Sequence, residues 1–122
     1  MTDSVASETE LVVAAVRDYF EGWYDSDVVR MERALHDDLV KRGPSLGLTT
    51  KARMLELTAQ GEGAEDGVDR TLEIRVEDLY GTIANVTVES AVYQEYVQLV
   101  RTADGWKIVN TLWRPRHGDA PG

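Results

Sequence analysis

Apolar residues recur early in the chain at Val12, Val16, Tyr19 and Trp23, flanked by Val13, Ala15 and Phe20. Steps of three and four are the period of a helix, and this stripe is wide enough to face a core. Ser7 followed by Glu10 matches the S-x-x-E capping box, so the helix is predicted to start there. Gly22 weakens its last turn and "DSD" ends it. Asp27 can cap a second helix from Val28 to about Leu35, burying Val28, Met31 and Leu35. A short strand is predicted over Leu39 to Arg42, and "GPSLG" then turns the chain. Thr49 or Thr50 caps a third helix through about Gln60, with Met54, Leu55 and Thr58 on one side and Gly61 as its stop.

Beyond Gly61 the period changes. "GEGAEDG" has no apolar residue larger than Ala and is expected to be the most mobile internal segment. "VDRTLEIRVEDLYG" alternates: Val68, Leu72, Ile74 and Val76 share one face, Asp69, Thr71, Glu73, Arg75 and Glu77 the other. "TIANVTVESAVYQEYVQLVR" is long for one strand and must bend or bulge. "DG" at Asp104 and Gly105 is a hairpin signal leading into "WKIVNTLWR". Helices first and three long antiparallel strands afterwards predict an α+β fold with the helices packed on one face of a curved antiparallel sheet.

Composition narrows the classes. The chain has 122 residues, read as a single domain with its core at about 8–114 and tails at 1–7 and 115–122. A net charge of −9 argues against nucleic acid, since an acidic surface repels phosphate. No apolar run reaches the roughly 18 residues of a membrane span. The polar, acidic start lacks the pattern of a secretory leader, so no membrane partner and no export are expected. The absence of cysteine removes disulfide and thiol chemistry and suits a cytoplasmic protein. Arg114, Arg116 and His117 in "RPRHG" read as a loose tail.

Three stretches carry a family resemblance: "YFEGWYDSDVVRMERALHDDLVKR", "YGTIANVTVES" and "YQEYVQLVRTADGWKIVNTLWR". Together, over residues 10 to 114, they resemble the nuclear transport factor 2-like superfamily, within it the group named putative lumazine-binding proteins, near the polyketide cyclase-like members. The resemblance implies a cystatin-like cone of three N-terminal helices on the sheet. It implies a homodimer formed through the outer sheet face and an apolar pocket between the helices and the inner face. It also implies a small apolar or heterocyclic ligand, pteridine-like by the group's name. Steroid isomerases of the superfamily use a tyrosine on the first helix as oxyanion donor, and Tyr19 matches that position. The position of their catalytic aspartate falls on Gly43, so that base is missing, though Asp38 or Glu95 could substitute. The dehydratases use a His and Asp pair, for which His36 is the choice here.

Two readings stand beside each other at most candidate positions. Four of the nine aromatic residues lie between Tyr19 and Tyr24. Tyr19 and Trp23 either pack the core or line a cavity, with Phe20 and Tyr24 against neighbouring helices. His36 with Asp38 can move protons, or the His can satisfy carbonyls at a helix end. On the long strand Tyr93, Glu95 and Val97 share a face. Inward, Glu95 is a candidate acid or base; outward, which is favoured, it is a solvated or interface charge. Asn110 is placed with Trp106 and Ile108 and can hold a carbonyl ligand. Trp113 serves the pocket mouth or the dimer interface. Lys41 and Arg42 read as a solvated strand edge. The candidate lining is Tyr19, Trp23, Met31, Met54, Tyr93, Glu95, Asn110 and Trp113, and the candidate catalytic set is His36, Asp38 and Tyr19. One nearby His with scattered carboxylates is too little for a metal, and no cofactor is called for. The expected function is small-molecule binding. The alternatives are a cofactor-free isomerase, dehydratase or cyclase, and a non-catalytic dimerisation domain.

Overall fold

Ser7 and Glu10 start the first helix reciprocally. The Ser7 N–H donates to Glu10 Oε1 at 2.8 Å, and the Glu10 N–H donates to Ser7 Oγ at 3.1 Å. The computed structural model describes residues 7–65, 67 and 69–116. Val68, predicted to share a strand face with Leu72, Ile74 and Val76, and His117 lie outside the described residues.

Helix α1 (Glu8–Asp25) ends at Ser26 in the left-handed conformation. Asp27 accepts the Arg30 N–H at 3.1 Å and caps α2 (Val28–Ala34). Asp18 on α1 takes Arg30 at 2.9 Å and Arg33 at 3.0 Å, tying the outer sides of the two helices together. Strand β1 (Leu35–Arg42) follows α2 with no connecting residue and pairs with β2 (Leu48–Thr49). Thr50 caps α3 (Lys51–Ala59). The second half of the chain folds as β3 (Leu72–Tyr80), β4 (Ile83–Ser90), β5 (Tyr93–Thr102) and β6 (Gly105–Pro115).

The six strands form one sheet in the order β2-β1-β6-β5-β4-β3. The predicted antiparallel sheet is mixed, because β1 pairs parallel with β6 while all other neighbours are antiparallel. Three register shifts bend it: in β1 between Leu35 and Val40, in β3 between Val76 and Asp78, and between Gln98 and Leu99 where β5 meets β6. The helices cover one face, and Val12, Val16, Met31, Leu35, Val88, Val97, Leu99 and Ile108 fill the space between.

Three expectations change. The strand predicted at Leu39 begins at Leu35, where a helix end was expected. Leu35 and Leu39 are both buried, and the register shift between them gives a strand the four-residue spacing of a helix. The single long strand is the β4–β5 hairpin. Its turn contains no Gly, Pro, Asn or Asp; instead Ser90 Oγ accepts the N–H groups of Val92 at 3.2 Å and Tyr93 at 2.8 Å. Pro115 belongs to β6, and the Arg116 side chain donates to Gln94, so residues placed in the tail are held. Among the described residues no helix is long and apolar enough to cross a membrane.

Ser90 is buried, so its replacement by Ala strands two backbone donors. Ser90→Ala is expected to lower unfolding free energy by about 1–3 kcal/mol, the cost of leaving buried groups unpaired, in a urea titration. An unchanged midpoint would show that the hairpin does not depend on this hydroxyl.

Candidate functional site

A cavity of about 160 Å³ opens between the helices and the inner sheet face. Tyr19, Phe20 and Trp23 come from α1, Lys41 from β1, Thr49 from β2, Met54 and Leu57 from α3, Tyr93 and Glu95 from β5, and Trp113 from β6. The α1 stripe explains the first three. On β5 strict alternation turns Tyr93, Glu95, Val97 and Leu99 inward.

Strand β6 reaches the site through an irregularity. Leu99 is paired with Ile108, but Gln98 is paired with Asn110, so Val109 is the extra residue. The parity of the strand therefore reverses. Trp106 and Ile108 are buried before the bulge, and Thr111 is buried after it with Trp113 on the same face. The Trp113 indole meets Tyr93 edge-on at 5.4 Å and covers Gly43. A Cβ at Gly43 would lie 2.6 Å from this ring, so no side chain fits where the isomerase comparison would put an aspartate. A Cβ at Gly63 would lie 2.5 Å from Trp23, so the segment after α3 packs directly on the other rim indole.

The polar end of the cavity joins three elements. The Tyr19 hydroxyl donates to Glu95 Oε2 at 2.6 Å. Lys41 Nζ donates to the Tyr19 oxygen and lies 3.5 Å from the same Glu95 oxygen. The ammonium sits 4.8 Å from the centre of the Tyr19 ring and 5.7 Å from that of Trp113. Glu95 is 2 % exposed. Burial, then the Glu95 charge and the hydrogen bond to it, hold the Tyr19 phenol well above its ordinary range. Burial pushes the Lys41 ammonium down, and Glu95 restores part of the difference. The Thr111 hydroxyl is buried beside the phenol and offsets a little of its upward shift.

This geometry limits the chemistry. Tyr19 has one proton and gives it to Glu95, so it has none to offer a ligand oxygen in this arrangement. Lys41 has three donors and uses one on Tyr19 and one on Glu95. Within this triad the group able to meet a ligand acceptor is therefore Lys41.

Of the predicted lining residues, Tyr19, Trp23, Met54, Tyr93, Glu95 and Trp113 border the cavity. Glu95 points inward, against the favoured outward reading. Met31 is buried in the core beneath α2 and does not border it. Asn110 does not either: the Val109 bulge turns it to the outer face, where it donates to Gln98 at 3.3 Å. His36 and Asp38 are not brought to the cavity. His36 borders a separate surface hollow with Glu32, Asp37, Lys51 and Lys107. Its Nδ1 accepts the Asp38 backbone N–H at 3.0 Å, and the Asp38 side chain points into solvent. Phe20 joins the lining, where packing against helices was expected. Lys41 was read as a solvated edge and is the site's only cation among the lining residues. Its signal was its parity with Leu39, two residues away on the same strand face.

Helices laid over a bent sheet in this order form the cone fold of nuclear transport factor 2-like proteins. Among solved structures, the chain is similar to an NTF-2 like protein of unknown function from Silicibacter pomeroyi, at 17% identity and a TM-score of 0.71, covering 91% of this chain and 100% of that one. It is also similar to a ketosteroid isomerase-like protein from Erwinia carotovora atroseptica, at 18% identity and a TM-score of 0.67, covering 96% and 100%. A third, described as a putative Ca/calmodulin-dependent kinase II association domain from Exiguobacterium sibiricum, shares 8% identity at a TM-score of 0.71, covering 97% and 100%. At these identities the likeness is one of fold. No curated protein matches the sequence. The pattern of the family described as "Putative lumazine-binding" matches residues 7–114, and the chain belongs to that family.

The Tyr19 shift has a measurable sign. Its folded value lies above the ordinary 10.0, so its stabilising contribution is complete below that pH and is lost as pH rises through the folded value. Lys41 acts oppositely: its folded value is below the ordinary 10.5, so the penalty on the ammonium is relieved as pH rises towards 10.5. In an ultraviolet titration Tyr19 is expected to be the last tyrosine to ionise, and Tyr19→Phe to remove that last step. Retention of the step in Tyr19→Phe would assign it elsewhere.

Proposed function

We propose that this domain binds a small, mostly apolar molecule about one aromatic ring in size, with an acceptor group turned to Lys41. The observation that carries the reading is the cavity itself: aromatic walls from α1, β5 and β6 around a single polar end. Its volume of about 160 Å³ is close to that of an engineered apolar cavity of roughly 150 Å³ that takes up benzene. Membership of a family described as "Putative lumazine-binding" supports a ligand-binding role. Lumazine is bicyclic, and a two-ring or polyketide-like ligand needs the rim indoles, Trp23 and Trp113, to move apart. Proton transfer by His36 with Asp38 is no part of this reading, because neither borders the cavity. The outer sheet face is read as the homodimer surface. There Tyr96 and Leu112, directly opposed across β5 and β6, are 53% and 48% exposed.

Two of the chain's three tryptophans line the cavity, so intrinsic fluorescence reports occupancy. Titration with benzyl alcohol is expected to saturate and to favour this ligand over a two-ring alcohol. Trp23→Ala is expected to weaken it about tenfold, the factor that corresponds to roughly 1.4 kcal/mol of lost contact. Unchanged affinity in both Trp23→Ala and Tyr19→Phe would contradict the reading. Native mass spectrometry of the same samples is expected to show a dimer; a monomer would remove the role given to the outer face.

A further inference from the structure

The chain has three lysines, and their surroundings differ in kind. Lys51 is held by Glu32 at 2.9 Å and Asp37 at 3.0 Å. Burial alone would lower it, but the two carboxylates outweigh this and hold its ammonium above the ordinary range. Lys107 donates to the Arg33 carbonyl at 2.7 Å on the surface. Lys41 ends inside an aromatic cavity, between the Tyr19 and Trp113 rings, with one buried carboxylate 3.5 Å away. An amine in apolar surroundings beside a proton acceptor is the arrangement that makes lysine a carbonyl nucleophile.

We propose that Lys41 condenses reversibly with the carbonyl group of an aromatic aldehyde or ketone held in the cavity. The proposal deepens the small-molecule reading above and rests on it. Lys41 Nζ first passes a proton to Glu95. The free amine then adds to the carbonyl carbon, forming the C–N bond, while the carbonyl oxygen takes that proton back from Glu95. A further proton transfer from nitrogen to the departing oxygen, relayed by Glu95, releases water and leaves an iminium. No oxidant, reductant or cofactor is consumed. Glu95 serves as proton acceptor and donor in turn, and Tyr19, hydrogen-bonded to it, keeps its oxygen aimed at the amine. The neutral amine that attacks is favoured by the same burial that pushes the Lys41 ammonium down. The cavity's size restricts the partner to a single ring bearing the carbonyl.

The test uses benzaldehyde with sodium cyanoborohydride near neutral pH, followed by peptide mapping that separates the three lysines from the amino terminus. Lys41 is expected to gain a benzyl group at least about tenfold faster than Lys51 or Lys107, because the cavity holds the aldehyde against its amine alone. Benzyl alcohol, which fills the cavity but cannot condense, is expected to suppress labelling of Lys41 and not of the other two. Lys41 labelled no faster than the other lysines, while benzyl alcohol still perturbs the tryptophan fluorescence, would overturn the condensation and leave the cavity's ligand class standing. Loss of both signals would overturn both. Labelling of Lys41 that benzyl alcohol does not suppress would also overturn the proposal, since the amine would then be reacting from outside the cavity.

Discussion

Glu95 carries a carboxylate on the inner face of a sheet, almost out of reach of water. A charge in that position is tolerated only if neighbouring groups replace its hydration. Tyr19 from α1 and Lys41 from β1 supply that replacement. The requirement therefore fixes how α1 lies across the sheet and which face β1 presents to it. It also keeps the space beside the triad from collapsing into ordinary core, since polar groups there cannot be packed over by methyl groups without losing partners. The cavity follows from this arrangement: aromatic side chains surround a polar end that must stay connected.

The same triad departs from the isomerase pattern its superfamily resemblance suggested. A tyrosine on the first helix is present, but its proton is given to a carboxylate. The base position after helix two is a glycine, and the Trp113 indole occupies the room a side chain would need. The fold is held in common with structures of quite different description, from an isomerase-like protein to a kinase association domain. In this chain a lysine stands at the polar end of the cavity, beside Tyr19 and Glu95.

Much of this architecture was legible in the residues. The capping box at Ser7, the Asp27 and Thr50 caps and the Asp104-Gly105 hairpin are local signals, and local hydrogen bonding decides them. The period-two pattern of β3 and the α1 stripe likewise survive folding intact. What escaped was set by irregularities that sequence periodicity does not encode. The bulge at Val109 reverses the parity of β6, carrying Asn110 out and Thr111 in. The Ser90 hydroxyl makes a turn without turn residues. Glu95 and Lys41 each look like surface charges taken singly, and only their mutual proximity, across strands far apart in sequence, makes their burial affordable. His36 and Asp38 lie apart from the cavity for a related reason. Adjacency in sequence put them together, but on β1 the Asp38 side chain points into solvent and His36 borders a separate surface hollow.

A double-mutant cycle on Lys41 and Glu95 probes whether the triad holds the site as a unit. Stability would be measured by urea unfolding for Lys41→Met, Glu95→Gln and the double variant. If the two groups compensate each other's burial, each single change leaves its partner exposed to that cost and the double change costs less than the sum, by about 1–3 kcal/mol. Losses that add to within roughly 0.5 kcal/mol would mean that the lysine and the carboxylate act independently, and the account of the cavity's polar end would be wrong.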